Sequence, residues 1–126
     1  MLKYLSRDQI ILIHDRIIET FSKEKGDMSL GNLEATLERV KGYQGEDKDA
    51  LFWKAAILLE RVVLGHPFID GNKRTAYEAS KIFLQANGFT LNAEEDEVID
   101  LLVGIAKSKK NRYSVKAWLE KHSKKT

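Results

Sequence analysis

A run of apolar residues at helical spacing near the middle of the chain constrains the fold more than any other feature. Between Lys48 and Leu64 the apolar side chains form two adjoining rows, at 51, 55, 58 and 62 and at 52, 56, 59 and 63. Two adjoining rows make a stripe that is too wide for a helix on a surface. The pattern therefore predicts a central buried helix, which ends at Gly65 with Pro67 close behind.

Helical spacing recurs on both sides of this segment. Ser6 and Gln9 form a capping-box pattern for a first helix that reaches about Phe21, before a polar break at 22–27. Four further segments combine the same spacing with a cap or stop signal: 30–41, 71–88 with Asn87-Gly88 as its stop, 92–105 capped by Asn92 and Glu95, and a short one capped by Ser114. Residues 89–91 are expected to be extended at most. Six helices and no substantial sheet predict an all-α fold.

Length and composition agree with one compact domain over residues 1–126. The chain is 43% apolar and 32% charged, with a single proline, which is ordinary globular composition. The absence of cysteine excludes disulfide frameworks, thiolate zinc sites and cysteine nucleophiles. No apolar run reaches the roughly 18 residues of a membrane span, and the first residues lack the apolar stretch of a signal peptide. These features predict a soluble, cytoplasmic protein with no membrane contact.

The C-terminal end of the chain is basic although the formal net charge is only +2. From Lys107 onward there are eight Lys or Arg residues against Glu120 alone. Such a segment could bind nucleic acid or an acidic partner. A solvated basic face with a frayed terminus is the simpler interpretation, and nucleic acid is not expected as a partner.

The chemistry is expected in the connection between the third and fourth helices. The segment from His66 to Thr75 reads HPFIDGNKRT and packs the only proline, a histidine, a carboxylate, an amide and two cations into ten residues. A loop that enters a helix through glycine presents unpaired backbone N–H groups, which favour an anion. Lys73 and Arg74 in the first turn oppose the helix dipole, but they suit a phosphate bound above that turn.

Individual residues of this loop suit separate tasks. Asp70 is the natural ligand for Mg²⁺, which in phosphate chemistry takes one or two carboxylates together with phosphate oxygens. His66 is the group suited to take a proton from a hydroxyl near neutral pH. Pro67 and Phe68 are interpreted as structural, with Phe68 as an apolar plug between loop and core. His14, on the apolar face of the first helix, is expected to be a packed core residue.

The segment from His66 to Arg74 resembles the signature of a known family. His-Pro-Phe-Ile-Asp-Gly-Asn-Lys-Arg is similar to the signature loop of the Fic/Doc superfamily, whose Fic members carry His-x-Phe-x-(Asp/Glu)-Gly-Asn-Gly-x-x-Arg. The Doc (death-on-curing) toxins carry Asn-Lys-Arg in the second half, and this chain has the Doc form. The resemblance implies a six-helix Fic/Doc-like bundle with the active loop between the third and fourth helices.

The resemblance also implies a nucleotide-dependent transferase that modifies a protein hydroxyl. His66 would be the base and Asp70 the Mg²⁺ ligand. The phosphates of ATP would be bound by Gly71, Asn72, Lys73 and Arg74. Doc toxins move the γ-phosphoryl group to a threonine of elongation factor Tu and so arrest translation, and this activity is the leading expectation for the chain.

Two alternatives stay open at this stage. One is AMP transfer of the Fic type, which is disfavoured because Lys73 replaces the glycine of AMP-transferring members and Tyr77 stands in place of their last arginine. The other is a binding module without catalysis that acts through the basic C-terminal face. By resemblance, the expected partners are a translation factor as target and a separately encoded antitoxin, a disordered segment of which folds on binding.

Overall fold

The computed structural model describes residues 1–21 and 29–126, so the predicted polar break at 22–27 lies outside the described residues. The described ranges form six helices and two short strands. In chain order these are α1 (Arg7–Phe21), α2 (Leu30–Gly42), α3 (Lys48–Gly65), α4 (Asn72–Ala86), β1 (Phe89–Leu91), α5 (Glu95–Ala106), α6 (Arg112–Lys121) and β2 (Ser123–Lys125). The predicted all-α architecture is confirmed.

The central buried helix is α3, with the boundaries that its apolar pattern predicts. Both apolar rows are buried: Leu51, Phe52, Ala55, Ala56, Leu58, Leu59, Val62 and Val63. Each fully buried side chain of leucine size contributes about 1.5 to 3 kcal/mol relative to an exposed one. The helix packs against α2, α4, α5 and α6, and its contact with α4 is the most extensive between any two elements. The loop at 66–71 joins these two helices and is therefore held firmly at both ends.

The observed cap of the first helix agrees with the one predicted from the sequence, whereas the caps near the end of the chain differ from the predicted ones. In α1 the N–H of Ser6 donates to Gln9 Oε1 at 2.7 Å, and the N–H of Gln9 donates to Ser6 Oγ at 3.2 Å, so the predicted capping box is confirmed. The cap predicted at Ser114 is wrong. Asn111 caps α6, and its Oδ1 accepts the N–H of Ser114 at 2.8 Å.

The cap predicted at Asn92 is also wrong, because this residue continues the backbone pairing between β1 and β2 just beyond the end of β1. Its N–H donates to the carbonyl of His122 at 2.9 Å, and α5 begins later, after Glu94. Here β1 and β2 form a two-stranded antiparallel sheet, with Phe89 opposite Lys125 and Leu91 opposite Ser123. This small sheet is absent from the sequence-based prediction.

The C-terminus is tied to the fold, so the expected frayed end is wrong. Besides the strand pairing, the N–H of Thr126 donates to the carbonyl of Gly88 at 2.8 Å. Two of the C-terminal cations form tertiary ion pairs: Arg112 donates to Glu60, and Lys116 lies 2.8 Å from Asp49. None of the described helices is both long and apolar enough to cross a membrane.

A buried lysine lies beneath the N-terminal segment. The side chain of Lys54 on α3 is 1% exposed. Its Nζ donates to the hydroxyl of Tyr4 at 2.8 Å and to the carbonyl of Lys41 at 3.4 Å. The ammonium also lies 5.1 Å from the centroid of the Tyr4 ring. No described carboxylate pairs with Lys54, so its buried ammonium depends on these neutral acceptors.

Tyr4→Phe is therefore expected to lower the free energy of unfolding by about 1 to 3 kcal/mol, because it removes the shorter hydrogen bond of a buried charged group. Chemical denaturation monitored by circular dichroism measures the loss. Tyr113→Phe is the matched control, since Tyr113 is 69% exposed, and it should change stability by less than about 0.5 kcal/mol. Equal effects of the two substitutions would contradict the assigned role of the Tyr4 hydroxyl.

Candidate active site

His66 occupies the end of α3 in an unusual backbone conformation. Its φ of 45° and ψ of 58° lie in the left-handed region, which residues other than glycine adopt rarely. The side chain is exposed. The chain reverses here, so an exposed imidazole stands where the central helix meets the loop.

The amide of Asn72 organises the loop from inside. Its Oδ1 accepts the N–H of Phe68 at 3.0 Å, and its Nδ2 donates to the carbonyl of Phe68 at 2.7 Å. These two bonds determine which way the amide points. Nδ2 also lies 3.4 Å from Nδ1 of His66. This contact helps to position the ring, but it is too long to fix the tautomer of the imidazole. With the described residues, Nε2 of His66 makes no hydrogen bond, so it is the ring nitrogen open to a substrate.

Phe68 and His14 form the floor of the loop. Phe68 is 3% exposed, and its ring stacks on that of His14 with centroids 3.7 Å apart and planes 6° apart. Nε2 of His14 contacts the carbonyl oxygen of Asp70 at 2.8 Å. Pro67 is buried, and its carbonyl accepts the N–H of Ser29 at 2.6 Å. His14 is packed in the core as expected, but its contact with the loop backbone was not foreseen.

Gly71 allows the loop to enter α4. Its φ is 79°, and a Cβ there would lie 3.2 Å from Cδ1 of Ile18 and 3.6 Å from Cδ2 of His14. Both the backbone conformation and the close approach of α1 therefore require glycine. As the N-cap of α4 it supplies no side-chain hydrogen bond, which leaves the first-turn N–H groups uncapped and suited to an anion.

Asp70 stands between His66 and this helix start. Its Oδ1 accepts the N–H of Gly71 at 2.8 Å, and the residue is partly exposed. Among the described residues, no group of three or more His, Asp or Glu side chains could hold a metal ion. Among the described residues, Asp70 is a single carboxylate beside a helix start suited to an anion, which fits Mg²⁺ that arrives with phosphate oxygens better than a metal held by these residues alone.

The two cations of the first turn differ in their surroundings. Lys73 is exposed and makes no ion pair or hydrogen bond with any described residue. Arg74 is engaged: its guanidinium donates to Glu95 and lies 3.8 Å from Oε1 of Glu78. Of these two cations, it is therefore Lys73 whose charge is not engaged by a described residue and is open to a ligand at the helix start.

Tyr77 lies one turn beyond Arg74, at the place of the last arginine in the Fic pattern. It is buried, with its ring 6.3 Å from that of Trp118 in an edge-on arrangement. Burial is the largest cause that raises the pKa of Tyr77 above its usual value. The side chain stays neutral and packed, and it supplies no positive charge to the site.

Comparison with known proteins identifies the family of the chain. Residues 4–84 match the model of the Fic/DOC family. The chain is 33% identical over 106 residues to a protein from Escherichia phage P1 named protein kinase doc, with 83% of each chain covered. It is 35% identical over 98 residues to toxin Doc of Mycolicibacterium smegmatis, with 76% of this chain and 73% of the relative covered. By both the family match and the identity to these relatives, the chain belongs to the Fic/DOC family.

Proposed function

We propose that the protein is a Doc-type toxin that transfers the γ-phosphoryl group of ATP to a serine or threonine hydroxyl of a protein target. The observation that carries this proposal is the short loop that sets the exposed His66 beside an uncapped helix start bearing Lys73, which pairs with no described residue. The names of the relatives, a protein kinase and a toxin, support the same class of activity. Elongation factor Tu is the first target to test, and it would place the reaction in the cytoplasm.

In this reaction Nε2 of His66 takes the proton of the substrate hydroxyl as its oxygen attacks the γ-phosphorus. The bond from the γ-phosphorus to the bridging oxygen breaks, and the nucleoside diphosphate leaves. Catalysis of this transfer is largely positioning and charge stabilisation. Lys73 and the uncapped N–H groups from Gly71 onward would stabilise the charge on the phosphates.

Bound Mg²⁺ would neutralise charge between the phosphates, and Asp70 is the residue that would hold it. The Gly71 N–H keeps one carboxylate oxygen of Asp70 in place. Asn72 supports the site mainly through the loop shape, because both ends of its amide bond to Phe68. Its contact with the phosphates, like that of Arg74, stays a prediction.

The alternative of AMP transfer is separated from phosphoryl transfer by the mass of the product. The protein is incubated with elongation factor Tu and ATP labelled at either the γ or the α phosphate. We expect label from the γ position and a mass gain of about 80 Da, whereas adenylylation adds about 329 Da. Label from the α position would contradict the proposed function and leave the site intact.

Lys73→Gly is expected to lower phosphoryl transfer at least about 10²-fold, because it removes the unpaired cation at the helix start and Arg74 is already committed to glutamates. Initial rates with γ-labelled ATP measure the loss. Lys81→Gly lies on the same helix, outside the loop, and controls for the cost of glycine within a helix. Unchanged transfer by Lys73→Gly would show that the phosphates are bound elsewhere.

The non-catalytic alternative rests on the basic C-terminal face. Part of that charge serves the fold, because Arg112 and Lys116 pair with carboxylates of α3. A module that binds RNA through this face would lose affinity steeply as salt rises. Toxicity that survives loss of transfer, together with such a salt dependence, would favour this alternative.

The proposed binding site for an antitoxin is an apolar groove between α1 and α4. The groove has a volume of about 510 Å³ and combines the apolar side chains Ile13, Ile17 and Ile82 with the charged pair Arg74 and Glu95. An amphipathic segment that folds on binding suits such a surface. Hydrogen exchange of the complex tests the site: protection should appear in α1 and α4, and protection confined to α6 would contradict it.

A further inference from the structure

A small pocket adjoins the active loop on the face made by α2 and α3. Its volume is about 250 Å³. The start of α2 and the end of α3 line it: Asn32, Thr36, Glu60, Arg61, Leu64 and Gly65. Gly65 directly precedes His66, so the pocket reaches the backbone next to the proposed base. No residue from His66 to Arg74 lines it, and it is therefore separate from the predicted phosphate site at the start of α4.

The pocket carries a positive charge that no described residue balances. Glu60 accepts hydrogen bonds from Nε and Nη2 of Arg112 at 3.0 and 2.6 Å, so its charge is matched elsewhere. Nε of Arg61 is buried and has no hydrogen-bond partner. With the residues the structure describes, Arg61 forms no ion pair either.

The wall around this charge is already formed. Nδ2 of Asn32 donates to the carbonyl of Gly65 at 3.0 Å, which joins the start of α2 to the end of α3. Thr36 is buried beneath. Leaving a buried donor unpaired is costly, and each such group calls for an explanation. An anion bound to Arg61 would explain the unpaired Nε–H.

The size of the pocket and its rim indicate which anion. A volume of about 250 Å³ is below the roughly 300 to 1,000 Å³ of pockets for drug-sized ligands, and so it is too small for a nucleotide. It suits a single carboxylate, whose two oxygens match the guanidinium. The apolar side chains of Leu64 and Ile69 are exposed on either side of His66, as on a surface that receives another protein.

We infer that Arg61 binds a carboxylate side chain of the protein substrate and so selects hydroxyl residues that have an acidic neighbour. This inference rests on the proposed function, in which a protein hydroxyl meets His66. Arg61 would be a binding residue that determines specificity, with no part in proton transfer. The acceptor and its acidic neighbour would then lie together over the end of α3.

The first test does not require transfer activity. The side-chain Nε–H resonance of Arg61 is assigned by NMR with the variant Arg61→Gln. Titration with acetyl-glutamate amide should shift this resonance to saturation, whereas acetyl-glutamine amide, its uncharged match, should not. ATP with magnesium should leave it unchanged. A shift with ATP would reassign the pocket to the nucleotide, and no shift with any probe would overturn the inference.

The second test uses kinetics with the protein target. Arg61→Gln should raise the KM for the target about 10- to 100-fold, the range for hydrogen bonds to charged groups, with kcat and the KM for ATP unchanged. Arg61→Lys should restore part of the loss, and Arg39→Gln on the exposed face of α2 should have no effect. A fall in kcat without a change in KM would overturn the inference.

Stability separates a binding role from a structural one. A structural arginine would destabilise the fold when replaced, whereas an arginine whose buried Nε–H has no partner would not. The midpoint of thermal unfolding of Arg61→Gln should therefore equal or exceed that of the unmodified protein, and a clear fall would overturn the inference. If the unmodified protein shows no transfer yet responds to acetyl-glutamate amide, the proposed function fails and the carboxylate site stands.

Discussion

His66→Ala is expected to lower the rate of phosphoryl transfer about 10²- to 10⁴-fold, the usual contribution of a general base. The fold should persist, because the His66 side chain is exposed and its contact with Asn72 is long. Binding of ATP should persist as well, since the phosphates are expected at the start of α4. Initial rates with γ-labelled ATP, thermal unfolding and calorimetric titration with ATP measure the three quantities.

His122→Ala is the matched control for this prediction. The ring nitrogens of His122 lie 2.8 Å from the carbonyl oxygen of Trp118 and 3.0 Å from Oε2 of Glu97, far along the chain from the loop. Its replacement should leave transfer unchanged. Full activity of His66→Ala would remove the general base from the proposed mechanism, and loss of ATP binding would indicate that the imidazole contacts the nucleotide.

Asp70→Asn is expected to abolish most transfer and the response of the rate to magnesium. An amide is a far poorer ligand for Mg²⁺ than a carboxylate. The side-chain oxygen of asparagine can still accept the N–H of Gly71, so the loop should keep its shape. Rates measured across a magnesium titration test the expectation.

Asp100→Asn removes an exposed carboxylate on α5 and serves as the control for a lost negative charge. It should leave the magnesium dependence as it is. A normal magnesium response in Asp70→Asn would mean that the ion is held by other groups. Loss of the folded state in that variant would instead assign Asp70 to the structure of the loop.

Local signals in the sequence were sufficient for most of the helices. Two of these signals each involve residues of a single helix and its cap: the double apolar row of α3, and the reciprocal cap of Ser6 and Gln9. Both are found in the structure. The start of α5 and the two strands are different, because Asn92 bonds to His122, thirty residues later. Strands of three residues have no periodicity to detect, and their pairing depends on tertiary structure.

The candidate site likewise combines features with a local sequence signal and features that depend on tertiary contacts. The residues from His66 to Arg74 were found together because the loop is continuous in sequence. The contact of His14 with the carbonyl of Asp70 joins α1 to the loop across 56 positions, and the pair of Arg74 with Glu95 spans 21. A histidine on an apolar helix face was the visible signal for the first of these. For Arg61 the sequence contains no such signal, because its lack of a partner among the described residues depends on where the carboxylates lie in space.

In the proposed mechanism, the left-handed backbone at His66 puts stability and activity in conflict at one residue. Glycine is the usual residue at such a helix end, and another residue costs about 1 to 2 kcal/mol there. Selection for a more stable helix end would therefore favour glycine at this position and remove the imidazole with it. With His66 as the base of the proposed mechanism, variants stabilised in this way are expected to lose transfer activity.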